Sequence, residues 1–144
     1  MNTRYTPLVK LKKNKLQESE RIVQRASVDL NSASSALEAS YASLGDVSIP
    51  ESGSVSEMIA SRVLLESQRS LIKHNQEWVE FAKNQLFEAK EQLKADMIEY
   101  EKFKYLEFQE IKKVMQKQKQ KESKELDEIA LISFGTKTSK KEDI

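Results

Sequence analysis

The sequence predicts an all-α protein, a long antiparallel two-helix coiled coil in which the second helix overhangs the first. Two observations support this α-helical hairpin. Only 3 Gly and 2 Pro occur among the 144 residues, which is too few turn-forming residues for a β or α/β fold. Large apolar residues also recur every seven positions in two long segments, and a strict seven-residue repeat is typical of a left-handed coiled coil.

The first helix is predicted at residues 7–44. Thr6 and Pro7 suit its start, because a Thr N-cap accepts an early amide proton and Pro has no amide proton to satisfy. Large and small residues alternate along its seam, the apolar stripe that faces a partner helix, so the partner can approach closely. The large set is Val9, Leu16, Val23, Leu30, Leu37 and Leu44, and the small set is Ser19, Ala26, Ala33 and Ser40.

The single turn is predicted at residues 45–54, which read GDVSIPESGS. This segment contains every Gly and Pro of the chain except Pro7 and Gly135, and Gly is a common residue at the end of a helix. The chain is therefore expected to double back once, in a single hairpin domain that covers residues 1–134.

The second helix is predicted at residues 55–132. If its repeat pairs with that of the first helix, the numbers of facing residues add up to about 102. This register sets Leu30 opposite Ile72 and Leu37 opposite Leu65. The large seam residues of the second helix are Met58, Leu65, Ile72, Val79, Leu86, Leu93 and Tyr100.

Two polar residues, Gln68 and Asn75, occupy small positions of the second repeat. Single buried polar residues can set the register of a coiled coil. The alternative is that they mark a gap in the packing where the hairpin is softer. Trp78, next to the seam residue Val79, is expected to pack at the seam margin.

The predicted register sets the start of the first helix, near Pro7, opposite about residue 95. Beyond that residue the second helix is expected to overhang the first. The overhang includes residues 99–118, EYEKFKYLEFQEIKKVMQKQ. Contiguous exposed apolar surface usually marks an interface. A different protein, a second copy in a homodimer or the chain's own tail would cover it. The predicted partner-binding residues are Tyr100, Phe103, Phe108, Ile111, Val114 and Met115.

Basic residues concentrate at the open end of the predicted hairpin. They indicate an acidic partner, although charge runs on helices are also commonly a solvated face. The net charge of +1 gives no general attraction to nucleic acid. The basic set is Arg4, Lys10, Lys12 and Lys13 in the N-terminal arm, and Lys112, Lys113 and Lys117 in the overhang.

The last ten residues, 135–144, read GTKTSKKEDI and carry no apolar repeat. Segments of this composition bury too little apolar surface to offset the entropy of ordering. A disordered tail is therefore predicted.

No sequence feature supports catalysis. His74 is the one histidine, the chain contains no Cys, and neither a Gly-rich phosphate loop nor a nucleophile motif occurs. His74 is expected to be a solvated surface residue. No enzymatic activity, metal, cofactor or small-molecule substrate is expected. No signal peptide or membrane-spanning run is found, which predicts an unexported protein.

The chain resembles the FliJ family, the coiled-coil component of the flagellar type III export apparatus. The resemblance is carried by the basic first helix, RYTPLVKLKKNKLQESERIVQRA, and by the ending KELDEIA at residues 124–130. It implies a two-helix rod in the cytoplasm, peripheral to the inner membrane near the flagellar base. The open end of such a rod sits in the ring of the export ATPase.

The resemblance also implies contact with the export gate and escort of export chaperones. The corresponding surface for the gate would be Leu64, Gln68, Leu71 and Asn75. Two other functions remain open at this point. The first is a chaperone for another flagellar motor component, such as a stator subunit, and the second is a generic structural coiled coil.

Overall fold

The computed structural model describes residues 2–47 and 53–142, with side chains up to residue 136. Two helices account for its secondary structure. Helix α1 spans Thr6–Gly45 and helix α2 spans Val55–Glu142. They pack against each other in opposite directions, which confirms the predicted all-α hairpin coiled coil.

Helix α1 begins one residue before its predicted start, with a different cap. The Tyr5 amide donates to Thr3 Oγ1 at 3.2 Å, and the Thr3 amide donates to Thr6 Oγ1 at 2.9 Å. Thr3 is therefore the capping residue, and Thr6 returns the interaction as the third residue of a capping box does. The prediction of Thr6 as the N-cap was therefore wrong, because Thr3 supplies the oxygen that accepts an early amide proton.

The described residues around the predicted turn include the end of α1 and the start of α2. Helix α1 ends at Gly45, where the Asp46 amide donates to the Ser43 carbonyl at 3.2 Å. Helix α2 begins after Ser54, whose Oγ accepts the Glu57 amide proton at 3.3 Å. Ser54 is thus the N-cap that satisfies an otherwise unpaired amide at the helix start. Residues 48–52 of the predicted turn lie outside the described residues.

Helix α2 continues beyond its predicted end at residue 132. It passes through Gly135 and ends at Glu142, which includes most of the segment expected to be disordered. The Thr136 hydroxyl donates to the Ile132 carbonyl at 2.8 Å, a bond within the helix. Residues 143–144 lie outside the described residues.

The chain divides into two compact units. One consists of Lys13–Ile98, and the other of Met1–Lys12 with Glu99–Ile144. The core of the first unit is a cluster of Ala33, Val79 and Ala82, against which Leu30 and Leu37 pack.

The register of the hairpin differs from the predicted one. Ser19 contacts Asp96 and Ser40 contacts Asn75, and in both pairs the residue numbers add up to 115. The large residues Leu37 and Val79, which pack in one cluster, add up to 116, so α1 is displaced by 14 residues, two heptads, from the predicted sum of 102. Leu37 accordingly packs in the cluster that contains Val79, whereas its predicted partner was Leu65. The predicted pairs were therefore wrong, although the seams were identified correctly.

The reason for this register lies in the small positions of the two seams. A displacement by whole heptads leaves large apolar residues facing each other, so the apolar repeat cannot select one register. The observed register sets polar residues opposite polar residues. In the predicted register Asn75 would face Ala26, and a buried amide without a partner costs about 1–3 kcal/mol.

Candidate protein-binding surfaces

The N-terminal arm packs along α2 within the unit of Met1–Lys12 and Glu99–Ile144. Arg4 Nη2 lies 3.9 Å from Glu110 Oε2, and Lys12 Nζ lies 3.7 Å from Glu99 Oε2. Lys12 Nζ also lies 5.5 Å from the centroid of the Phe103 ring. The arm therefore covers a segment that was predicted to overhang.

The predicted partner-binding residues divide into two groups because of this contact. Tyr100, Phe103 and Ile111 are half-buried, and Lys12 of the arm lies over the Phe103 ring. Val114 and Met115 are 40% and 51% exposed. Phe108 is also exposed, on a face that the arm leaves open. The accessible part of this surface thus lies further toward the C-terminus than the sequence indicated.

Helix α2 is not covered by any described part of α1 from residue 112 onward. Every described side chain of residues 112–136 is exposed, and we call this stretch the exposed segment. It begins with the apolar residues Val114 and Met115 among lysines, and Glu122 is its one acidic residue before residue 125. Its lysines are Lys112, Lys113, Lys117, Lys119, Lys121 and Lys124.

The predicted basic end is only partly available for a partner. Arg4 and Lys12 form ion pairs with acids of α2. Lys10 is exposed in the arm, and Lys13 is exposed in the other unit. The largest group of exposed lysines among the described residues is therefore in residues 112–124, the first part of the exposed segment.

The surface predicted to face the export gate lies near the start of α2. Leu64 and Leu71 are 50% and 45% exposed. Gln68 is half-buried, and its Oε1 has no hydrogen-bond partner among the described residues. Asn75 is buried, and its amide donates to Ser40 Oγ and, at 3.3 Å, to the Ala36 carbonyl. Asn75 is thus part of the hairpin interior.

The sequence reasoning missed a shallow aromatic groove on the outer face of α2. It has a volume of about 450 Å³ and is lined by His74, Glu77, Trp78 and Phe81. Trp78 and Phe81 are 39% and 62% exposed, so part of Trp78 is accessible although it lies beside the buried seam residue Val79. The sequence contains a signal for this groove, because His74, Trp78 and Phe81 are spaced by four and three residues, which places their side chains on one face of a helix.

The described residues contain no group of three or more His, Cys, Asp or Glu side chains placed to hold a metal ion. Within the same residues, neither helix is apolar enough over 18 residues to cross a membrane.

The whole length of both helices, apart from the last residues of α2, is similar to a known protein family. A family model described as Flagellar FliJ protein matches residues 1–139. The match includes α1, the aromatic groove and the whole of the exposed segment. No curated protein and no solved structure matches the chain.

Proposed function

This chain belongs to the FliJ family of flagellar export proteins, and from that premise we propose that it is a non-enzymatic adaptor that binds the export ATPase through the exposed segment of α2. In this proposal the protein acts at the cytoplasmic face of the inner membrane. It also contacts the export gate and escorts export chaperones.

The exposed segment is the observation that carries the proposal. Its described side chains are all exposed, and Val114 and Met115 lie among basic residues. A partner with an acidic rim around an apolar socket suits such a surface. Charge accelerates the encounter of two proteins, and burial of apolar anchors supplies most of the affinity.

A second contact is supported by the exposed residues near the start of α2. Leu64 and Leu71 present aliphatic surface, and the groove of Trp78 and Phe81 follows on the same helix. Aromatic residues are common anchors in protein interfaces. We assign this surface to the export gate or to an export chaperone.

The proposal is tested by titrating the full-length protein against purified export ATPase. We expect the double substitution Val114→Ala and Met115→Ala to raise the Kd about ten- to a hundredfold, as loss of interface anchors does. The melting of the hairpin should stay unchanged, because both side chains are exposed. Circular dichroism and calorimetric titration measure the two effects.

A matched control is the pair Ile22→Ala and Val28→Ala, which removes aliphatic side chains that are 47% and 61% exposed on α1. This variant should bind the ATPase normally. If the Val114 and Met115 variant also binds normally, the exposed segment is not the ATPase site. Sedimentation of the unbound protein tests for a dimer. If the protein is a dimer and the Val114 and Met115 variant is a monomer, the exposed segment binds a second copy.

Deletion of the gene separates the other functions. Loss of an export adaptor should leave cells with few filaments. Normal filaments that do not rotate would instead indicate a chaperone of a stator subunit. Normal motility would indicate a structural coiled coil without a role in flagella.

A further inference from the structure

The large seam residues of the two helices are interchangeable along much of the hairpin. Those of α1 are Leu or Val, and those of α2 from Leu65 to Leu93 are Leu, Ile or Val, always seven residues apart. If α1 slides by one heptad toward the start of α2, Leu37 moves from Val79 to Ile72. The aliphatic layers of the seam are therefore conserved in the displaced register.

The small positions of the seam distinguish the two registers. In the structure Ser40 contacts Asn75, and Ser19 contacts Asp96. After a displacement by one heptad, Asn75 would face Ala33 instead. The displaced register thus breaks the Ser40–Asn75 and Ser19–Asp96 contacts while it keeps the apolar layers.

Helix α2 offers the surface that such a displacement requires. At the observed register α1 ends opposite about residue 70, and the first four turns of α2 have no part of α1 alongside. The large seam residue Met58 is 48% exposed there, and Val55 is 73% exposed. Leu65, half-buried, would come to lie under the end of α1.

We propose that α1 and α2 exchange between two registers one heptad apart, and that the Ser40–Asn75 and Ser19–Asp96 layers make the observed register the major one. The displacement is about 10 Å, seven residues at 1.5 Å each. In the minor register the end of α1 lies over residues 63–70 of α2, where Leu65 is the large seam residue. Discrete displacements of one packed helix along another are an established type of protein switch.

Cysteine pairs report each register, because the chain contains no native Cys. Ala33→Cys with Ala82→Cys reports the observed register, since the two residues share the buried cluster. Ala26→Cys with Ala82→Cys reports the displaced register, in which these positions face each other. Ser32→Cys with Ala82→Cys is the control, because Ser32 is exposed on α1. Both reporter pairs leave the polar layers intact.

The rate of disulfide formation within one chain is measured on dilute full-length protein under mild oxidation. We expect the pair Ala33 and Ala82 to react fastest. The pair Ala26 and Ala82 should react more slowly, but at least tenfold faster than the control. Adding Asn75→Ala should accelerate this displaced pair about tenfold, because the substituted side chain would then pack against Ala33 while Ser40 loses a hydrogen bond.

Asn84→Ala is the matched control for this substitution, since Asn84 is exposed on the same helix. It should leave all rates unchanged. Ser40→Ala removes the same buried bond from the other helix and should also accelerate the displaced pair. The proposal is overturned if the pair Ala26 and Ala82 never reacts faster than the Ser32 control. It is equally overturned if this pair forms disulfides only between chains.

Discussion

Asp96 illustrates how single residues determine the packing of this hairpin. Its carboxylate is 4% exposed, and a charge in such a position is costly unless it is paired. Three donors surround it. Ser19 Oγ donates to Oδ2, Gln92 Nε2 donates to Oδ1 at 3.1 Å, and Lys15 Nζ lies 3.7 Å from Oδ1. Ser19 is the buried donor among them, and it comes from the other helix.

We therefore expect Ser19→Ala to lower the free energy of unfolding by about 1–3 kcal/mol, because it leaves a buried carboxylate oxygen without that donor. Urea denaturation followed by circular dichroism measures the change. Ser32→Ala, an exposed position on the same helix, should change it by less than about 0.5 kcal/mol. Equal effects of the two substitutions would show that the contact between Ser19 and Asp96 contributes nothing.

The register could have been predicted from the polar residues at small positions. Ser19 and Ser40 are 21 residues apart, and so are Asn75 and Asp96. One register alone pairs both sets, and the structure adopts it. The large apolar residues predicted the helices and their seams, but a seven-residue repeat is unchanged by whole-heptad displacement. The apolar pattern therefore fixed neither the register nor the position of the exposed segment.

At the scale of the helices, this displacement explains which predicted site residues are accessible. Phe103 was expected in an overhang, yet Lys12 covers its ring because α1 extends two heptads further along α2 than predicted. The sequence predicted an exposed apolar and basic surface on α2, but not its position along the helix. The N-cap at Ser54 was readable from the sequence SVSE, because Ser is a preferred residue at this position.

The exposed segment as an element leads to a prediction about kinetics. Replacing Lys112, Lys113 and Lys117 with Gln should lower the association rate with the export ATPase about tenfold at low salt, because fewer charges steer the encounter. The dissociation rate should change less. Stopped-flow measurements over a range of salt concentrations should show a flatter dependence for this variant.

The control for that experiment replaces Lys73, Lys83 and Lys90 with Gln. These lysines are exposed on α2 within the unit of Lys13–Ile98, and the change in net charge is the same. If both variants associate equally slowly, steering depends on total charge and not on the exposed segment.

For the molecule as a whole, local stability should follow the presence of a helical partner. Residues 72–96 of α2 contain the buried positions, whereas residues 112–136 are exposed throughout. An isolated helix in water is marginally stable, and burial of an apolar face supplies most helical stability in proteins. Amides of the exposed segment are therefore expected to exchange with solvent much faster than those of residues 72–96.

Hydrogen exchange read by mass spectrometry tests this expectation on the unbound protein. Addition of the export ATPase should slow exchange in the exposed segment if that segment is the binding site. Equal protection of the two stretches in the unbound protein would contradict the prediction, and it would indicate that another chain already covers the exposed segment.

The small residues in the seam also affect the entropy of folding. Ala33 and Ala82, with 0% and 3% exposure, have no rotamers to lose when they are buried, whereas a buried Met or Gln gives up roughly 1.5–2 kcal/mol of side-chain freedom. Their lack of side-chain volume lets the two backbones approach closely, so dispersion between main-chain atoms can replace contacts between long side chains. The layer of Ala33 and Ala82 therefore costs almost no side-chain entropy when the hairpin folds.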